Sequence, residues 1–407
     1  MSSTSKQKAQ YQGPALLSHG FRPFFLAASV WATVGMLLWI AMLSGTVSLP
    51  LRFDPFSWHA HEFLFGYVGA VICGFALTAA PNWTGRPPLA GWPLLALLAL
   101  WVAGRVAVAL SDLLPWQAVA LVDLSLMAAL LLFLAQEIIR GRNWRNLPVV
   151  LLIGLHGLAN GMFHVEVAMT GAASSGLGMR LGLATALLLI ILIGGRIIPS
   201  FTRNWLAAKG VSHLPIPFNR SDGGILALTA ITLAAFVAAP GAWGMTSLLA
   251  ATGSAHLWRL SRWCGWHVRS EPLLWSLHLA YAMVAMGFFT NAAAQQTLIA
   301  PAAAHHVWLV GAIGLMTLAV MSRASLGHTG HALHAGPGTA ALYLSVIGSV
   351  VARVGAGLAD DPMPFLHLSG ALWVSTFAGF TVIYGGMLVR PRQGQHRSHR
   401  AASKGDT

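Results

Sequence analysis

FFLAASVWATVGMLLWIAMLS, residues 24–44, decides the fold. The stretch carries no charged side chain, and at about 1.5 Å of rise per residue a helix of this length spans the roughly 30 Å hydrocarbon core of a bilayer. The residues before it, MSSTSKQKAQ, hold lysines but no apolar core, so it reads as a first membrane span rather than a cleaved signal. Further apolar runs, bounded by Pro, Gly and charge, fall at 58–80, 89–110, 115–138, 147–170, 177–199, 223–239, 241–261, 272–291, 303–323, 338–357 and 364–389. The sequence therefore predicts an all-α membrane protein, a polytopic bundle of about twelve transmembrane helices. Composition agrees, since 56% of the 407 residues are hydrophobic and 9% charged, against about 25% charged in soluble domains. No segment outside the spans is long enough for a soluble domain. The expected division is a cytoplasmic segment over 1–23, the transmembrane domain over 24–389, and a basic cytoplasmic tail over 390–407.

The net charge of +13 raises the question of nucleic acid. No basic stripe interleaved with stacking aromatics occurs in a polar domain, so nucleic acid is not an expected partner. The positive charges sort by loop instead. With the spans above, every Lys and Arg except Arg52, Arg105, Arg180 and Arg353 falls on the side of the N terminus. Cytoplasmic loops hold most Lys and Arg, so both termini are expected in the cytoplasm.

Seventeen histidines in such a chain are the main chemical signal. Imidazole is a common metal and haem ligand, and polar groups within a bilayer often mark working sites. On the outer side lie His59, His61, His164, His305, His306 and His367, with Glu62 and Glu166 at the same depth. On the inner side, His256 and His278 each sit roughly 8–9 Å deep on successive spans, and His19, His328, His331 and His334 lie nearby. His156, alone in mid-span, reads as a hydrogen-bonded core residue. Residues two apart on a helix point about 200° away from each other, so His59 and His61 cannot share one centre within a regular helix. Cys73 and Cys264 offer neither a disulfide framework nor a thiolate metal site. No CxxCH occurs, so any haem is held noncovalently. Imidazole suits haem iron, copper and zinc alike. Glu62 and Glu166 could carry protons to such a centre or simply staple helices. A proton-coupled transporter using His/Glu relays, and a metal-handling scaffold without turnover, are the alternatives.

FRPFF at 21–25, WHAHEFLFGY at 58–67, PNWTGRPPLAGW at 81–92, GGRIIPSFTRNWL at 194–206, EPLLWSLHLAY at 271–281 and VGAIGLMTLAVMSRASLGHTG at 310–330 together resemble the NnrS family, in order and over nearly the whole chain. The resemblance implies a multi-pass protein of the bacterial inner membrane that binds noncovalent haem b and copper. It further implies protection against nitric oxide by binding it, or by reducing it as a haem–copper oxidoreductase; the electron donor is left open. The histidines it carries over are His59, His61, His164, His256, His278, His306 and His328. Arg196, Arg203 and Arg323 lie in its motifs as candidate partners of haem propionates; Glu62 and Glu166, at the depth of the outer histidines, are the expected proton carriers. On this reading His256 and His278 ligate one centre, with His328 as a third ligand. His61, His164 and His306 converge on the other face.

The charge asymmetry makes a direct prediction. A reporter fused at Lys404 is expected to be active only when the reporter is one that works in the cytoplasm. Activity restricted to a periplasm-dependent reporter contradicts it.

Overall fold

Prolines and short capping side chains start most of the helices. The computed structural model describes residues 11–393, and these form long helices joined by short connections, with no strand among the described residues. The helices are α1 (Phe21–Leu43), α2 (Pro55–Thr84), α3 (Trp92–Ala109), α4 (Trp116–Gly141), α5 (Trp144–Thr170), α6 (Leu177–Ala208), α7 (Arg220–Ala238), α8 (Met245–Ser261), α9 (Pro272–Gln295), α10 (Pro301–Thr329), α11 (Pro337–Ala356) and α12 (Met363–Val389). Eleven are long and apolar enough to cross a membrane; the other, α8, has 17 residues. Each coincides with one of the twelve spans read from the sequence. α1 starts at Phe21, three residues before the expected boundary. Residues 1–10 and 394–407, which hold Lys6, Lys8 and most of the basic tail, lie outside the described residues.

The local chemistry explains the helix ends. Pro55, Pro93, Pro148, Pro272, Pro301, Pro337 and Pro364 occupy first-turn positions, where the missing N–H costs nothing. Asp54 Oδ1 accepts from the amides of Phe56 and Ser57 at 3.0 and 3.2 Å, capping α2. Asn219 and Asp222 form a reciprocal capping box on α7. Gly171, at φ 74°, closes α5 in the left-handed conformation that favours glycine.

Arg22 donates to the carbonyls of Met387, Leu388 and Arg390 at 3.1, 2.8 and 2.7 Å. The start of α1 and the end of α12 thus meet on one face, as an even number of crossings requires. We call this the terminal face and its opposite the far face. The centre of the bundle is α2 and α10, whose most apolar windows are 72% and 78% buried, against 22% for α1.

These two central helices share an irregularity. α2 runs as a π-helix over Glu62–Tyr67 and α10 over Val307–Gly314, in each case directly after a close pair of histidines. A π-turn frees carbonyls from the regular ladder and recurs at functional sites. Side chains from neighbouring helices take up the freed groups of α2: Trp101 Nε1 donates to Gly66 O at 3.0 Å, and His156 Nε2 lies 3.2 Å from Leu64 O. His156 also meets Thr185 Oγ1 at 3.0 Å, so it is a satisfied core residue, as expected.

Close approach of α6 to α5 depends on Gly178, where an added Cβ would fall 2.5 Å from the backbone nitrogen of Phe163. Backbone cannot give way as a side chain can. Gly178→Ala is expected to destabilise the protein by about 1–3 kcal/mol, seen as a lower melting temperature in detergent. Gly224→Ala, which meets nothing within 4 Å, should leave it unchanged or higher. Equal melting temperatures for wild type and Gly178→Ala contradict this packing.

Candidate metal centre

His59 and His61 leave α2 on opposite sides, and each helps to build a different site near the far face. His61 enters a buried polar cluster between α2, α3, α4 and α5. Its Nδ1 lies 3.1 Å from Glu62 Oε1, and its Nε2 lies 2.9 Å from Asn160 Oδ1 and 3.2 Å from Asp123 Oδ2. His164 Nε2 reaches the same Asp123 oxygen at 3.0 Å, and Asn160 Nδ2 donates to it at 2.7 Å. Arg105 closes the cluster, donating from Nη1 to Glu62 Oε1 at 2.6 Å and from Nη2 to Asp123 Oδ1. Phe53, Phe65 and Phe163 pack their rings 5.3–5.5 Å from the His61 ring. All five titratable members are buried.

The charges in this cluster do not cancel. Two carboxyl groups face one guanidinium, in a setting where an uncompensated charge costs several kcal/mol. One more positive charge, a proton or a metal ion, completes the balance. His61, Asp123 and His164 each offer a ligand atom, and these atoms lie within 4.8 Å of one another. The Asp123 oxygen turned toward the imidazoles is Oδ2, while Oδ1 is held by Arg105. Glu62 Oε2 is buried without a hydrogen-bond partner.

His59 faces a cavity of about 660 Å³ on the other side of α2, lined also by His305, His306, Arg180 and Arg353. The imidazoles of His59 and His306 are parallel within 8°, with ring centroids 6.2 Å apart. His59 stacks on Trp39 at 4.6 Å. His306 Nδ1 donates to Ala302 O at 2.6 Å, which leaves Nε2 with the lone pair. His59 Nδ1 is buried with no partner. The remaining walls are largely apolar, including Met36, Phe63, Val310 and Trp373.

The structure thus distributes the sequence-predicted residues differently from the expected trios. His61 and His164 do come together, with rings 5.0 Å apart, but His306 pairs with His59 across α2. His305 lines the cavity beside it, so both members of that pair face the interior. Glu166 caps α6, its Oε1 accepting from the amides of Leu177 and Gly178 at 2.8 and 3.1 Å. On the terminal face, His256 lies 2.9 Å from both Tyr281 OH and Thr229 Oγ1. Tyr281 OH in turn accepts from Arg259, which pairs with Asp222 at 2.9 Å. His278 Nε2 meets Thr202 Oγ1 at 2.9 Å, and His328 packs on Phe21 at 5.2 Å. Among the described residues, His256, His278 and His328 belong to no grouping of three or more close His, Cys, Asp or Glu ligand atoms. Arg196 donates to Asn146 Oδ1 at 3.0 Å, Arg203 to Pro215 O at 2.7 Å, and Arg323 lies over the Phe201 ring at 4.1 Å. All three serve the terminal face, whereas Arg180 and Arg353 reach the cavity.

Asp123, Asn160, Arg180 and Arg353 escaped the sequence reading as site residues. The available signal was polarity inside or beside an apolar run, as for Asp123 within α4.

Arg105 gives this cluster a sharp test. Arg105→Met leaves two buried carboxyl groups without their counter-charge and is expected to destabilise the protein by about 3–5 kcal/mol. Arg105→Met/Asp123→Asn should recover part of that loss. Unchanged thermal unfolding of Arg105→Met in detergent contradicts the assignment.

Residues 15–392 match the model of a family described as NnrS protein. No curated protein matches the chain. The family match covers nearly its whole length, and the chain belongs to the NnrS family.

Proposed function

We propose that this NnrS-family chain is a haem- and copper-binding membrane protein that protects against nitric oxide by binding or reducing it at a histidine-held metal centre. The family's link to the nitric oxide response supports the ligand. The observation that carries the reading is the cavity of about 660 Å³ with its parallel His59 and His306. Its volume lies within the roughly 300–1,000 Å³ typical of small-molecule and cofactor pockets.

The residues present fit a haem. His306, with Nδ1 tied to Ala302 O, presents Nε2 as a ligand atom, and His59 carries an orphaned Nδ1 whose cost a ligand would explain. Arg180 and Arg353 supply guanidinium groups suited to two propionates. In this reading they take the role that the family motifs suggested for Arg196, Arg203 and Arg323. Bound haem iron supplies a coordination position for a diatomic gas and one-electron redox chemistry.

The buried cluster fits copper. Two imidazole nitrogens and a carboxylate oxygen converge there, and imidazole is a ligand that suits copper. A monovalent copper ion would also bring two carboxylates and one guanidinium to neutrality. Glu62 Oε2, buried without a hydrogen-bond partner, is the carboxylate oxygen of the cluster with room for a further ligand or proton.

A second reading rests on the same cluster. The contacts Glu62–His61–Asp123–His164 link four titratable groups in the order a proton relay would need, with Arg105 as fixed counter-charge, as in a proton-coupled transporter.

The visible spectrum of the purified protein separates the two. The haem reading expects a Soret band that shifts on nitric oxide addition and is lost in His59→Ala/His306→Ala. His61→Ala/His164→Ala should keep the band and lose copper. A protein purified from haem-replete cells without a Soret band contradicts the haem reading, as does full haem content in His59→Ala/His306→Ala.

A further inference from the structure

A second group of ligand atoms lies on the terminal face, away from both sites above. The sequence reading left Cys264 without metal-binding company, and the structure corrects this. Cys264 follows α8 in a turn completed by the 3-10 helix Gly265–Val268. His267, three residues on, donates its backbone N–H to Cys264 O at 3.1 Å. His213 comes from the α6–α7 connection, and its Nδ1 lies 3.3 Å from Cys264 Sγ. The His213 and His267 rings are 5.4 Å apart, and one ligand atom from each of the three residues falls within 4.8 Å of the others.

We propose that His213, Cys264 and His267 form a binding site for a single copper(I) ion. With a metal–sulfur bond of about 2.3 Å and metal–nitrogen bonds of about 2.0–2.1 Å, ligand atoms around one ion stand about 3.5 Å apart. Cys264 Sγ and His213 Nδ1 already stand 3.3 Å apart, and all three atoms lie within 4.8 Å of one another. The connections that carry them are tied together: Ile216 N donates to Arg262 O at 3.2 Å, and Arg203 holds Pro215 O at 2.7 Å. The two histidines are exposed, giving an ion entry from solvent, while Cys264 is buried. Leu206, Val268 and Leu274 pack with Cys264 in a small apolar cluster that shields the sulfur.

The ligand set selects the ion. Thiolate favours soft metals, and a trigonal His2Cys set is a copper arrangement. Structural zinc is almost always held by four ligands, one more than this group contains among the described residues. The charge asymmetry assigns this face to the cytoplasm, where thiols stay reduced and copper is present as copper(I). Binding replaces the thiol proton of Cys264 with the metal–sulfur bond and releases that proton to solvent. The site does not depend on the haem reading or on copper in the buried cluster, because its test is a difference between proteins that share both.

Intact protein in detergent is titrated anaerobically with copper(I) against a chromophoric chelator, and separately with zinc. The expected result is one more copper(I) equivalent in wild type than in Cys264→Ser or in His213→Ala/His267→Ala, with a sulfur ligand in the X-ray absorption spectrum only in wild type. Elution of each variant at the wild-type volume in size-exclusion chromatography shows that it is folded. Equal copper(I) uptake by the wild type and the folded variants overturns the proposal. So does a site that takes zinc and releases copper(I) to the chelator.

Discussion

The arrangement depends on one guanidinium. Arg105, on α3, reaches Glu62 of α2 and Asp123 of α4, and Asp123 in turn receives His61, Asn160 and His164. A buried charge in a bilayer must find its counter-charge nearby, so this group fixes the depth and rotation of four helices at once. Rotating α2 would withdraw Glu62 from the guanidinium and His61 from Asp123. Gly66 and Gly104 reflect the same constraint: an added Cβ would lie 2.5 Å from Arg105 Nη1 at the first and 2.9 Å from Asp123 Oδ1 at the second.

With its rotation fixed, α2 becomes a partition. One side turns His61 into the charged cluster, and the other turns His59 toward His306 and the cavity. The π-helical stretches after the histidine pairs of α2 and α10 re-aim the following turns, and Tyr67 OH meets Thr317 Oγ1 at 2.7 Å to link the two central helices below them. The two sites are therefore neighbours separated by a single helix, and under the proposed function electrons or protons would pass between them over a short distance.

The spans were legible because bilayer thickness dictates their length, and all twelve runs read from the sequence became helices. The roughly 200° divergence of His59 and His61 was also legible, since it follows from helical geometry alone. Partner choice was not. Depth along the chain places His61, His164 and His306 in one layer, but lateral position within that layer is set by how helices pack, and the sequence carries no such coordinate. Likewise His256 and His278 stand on successive helices yet turn to different hydroxyl partners, Tyr281 and Thr229 for one and Thr202 for the other. Asp123 was passed over because one carboxylate hardly alters an apolar run, although its position inside the membrane marks it. Cys264, His213 and His267 come from two connections that only the fold brings together.

Anomalous X-ray diffraction from crystals of the metal-loaded protein, measured at the iron and copper edges, addresses the central claim most directly. The account predicts an iron peak in the cavity beside His59 and His306 and a copper peak beside His61, Asp123 and His164, on opposite sides of α2. Iron bound instead at His256 or His278, or both metals on one side of α2, would contradict it.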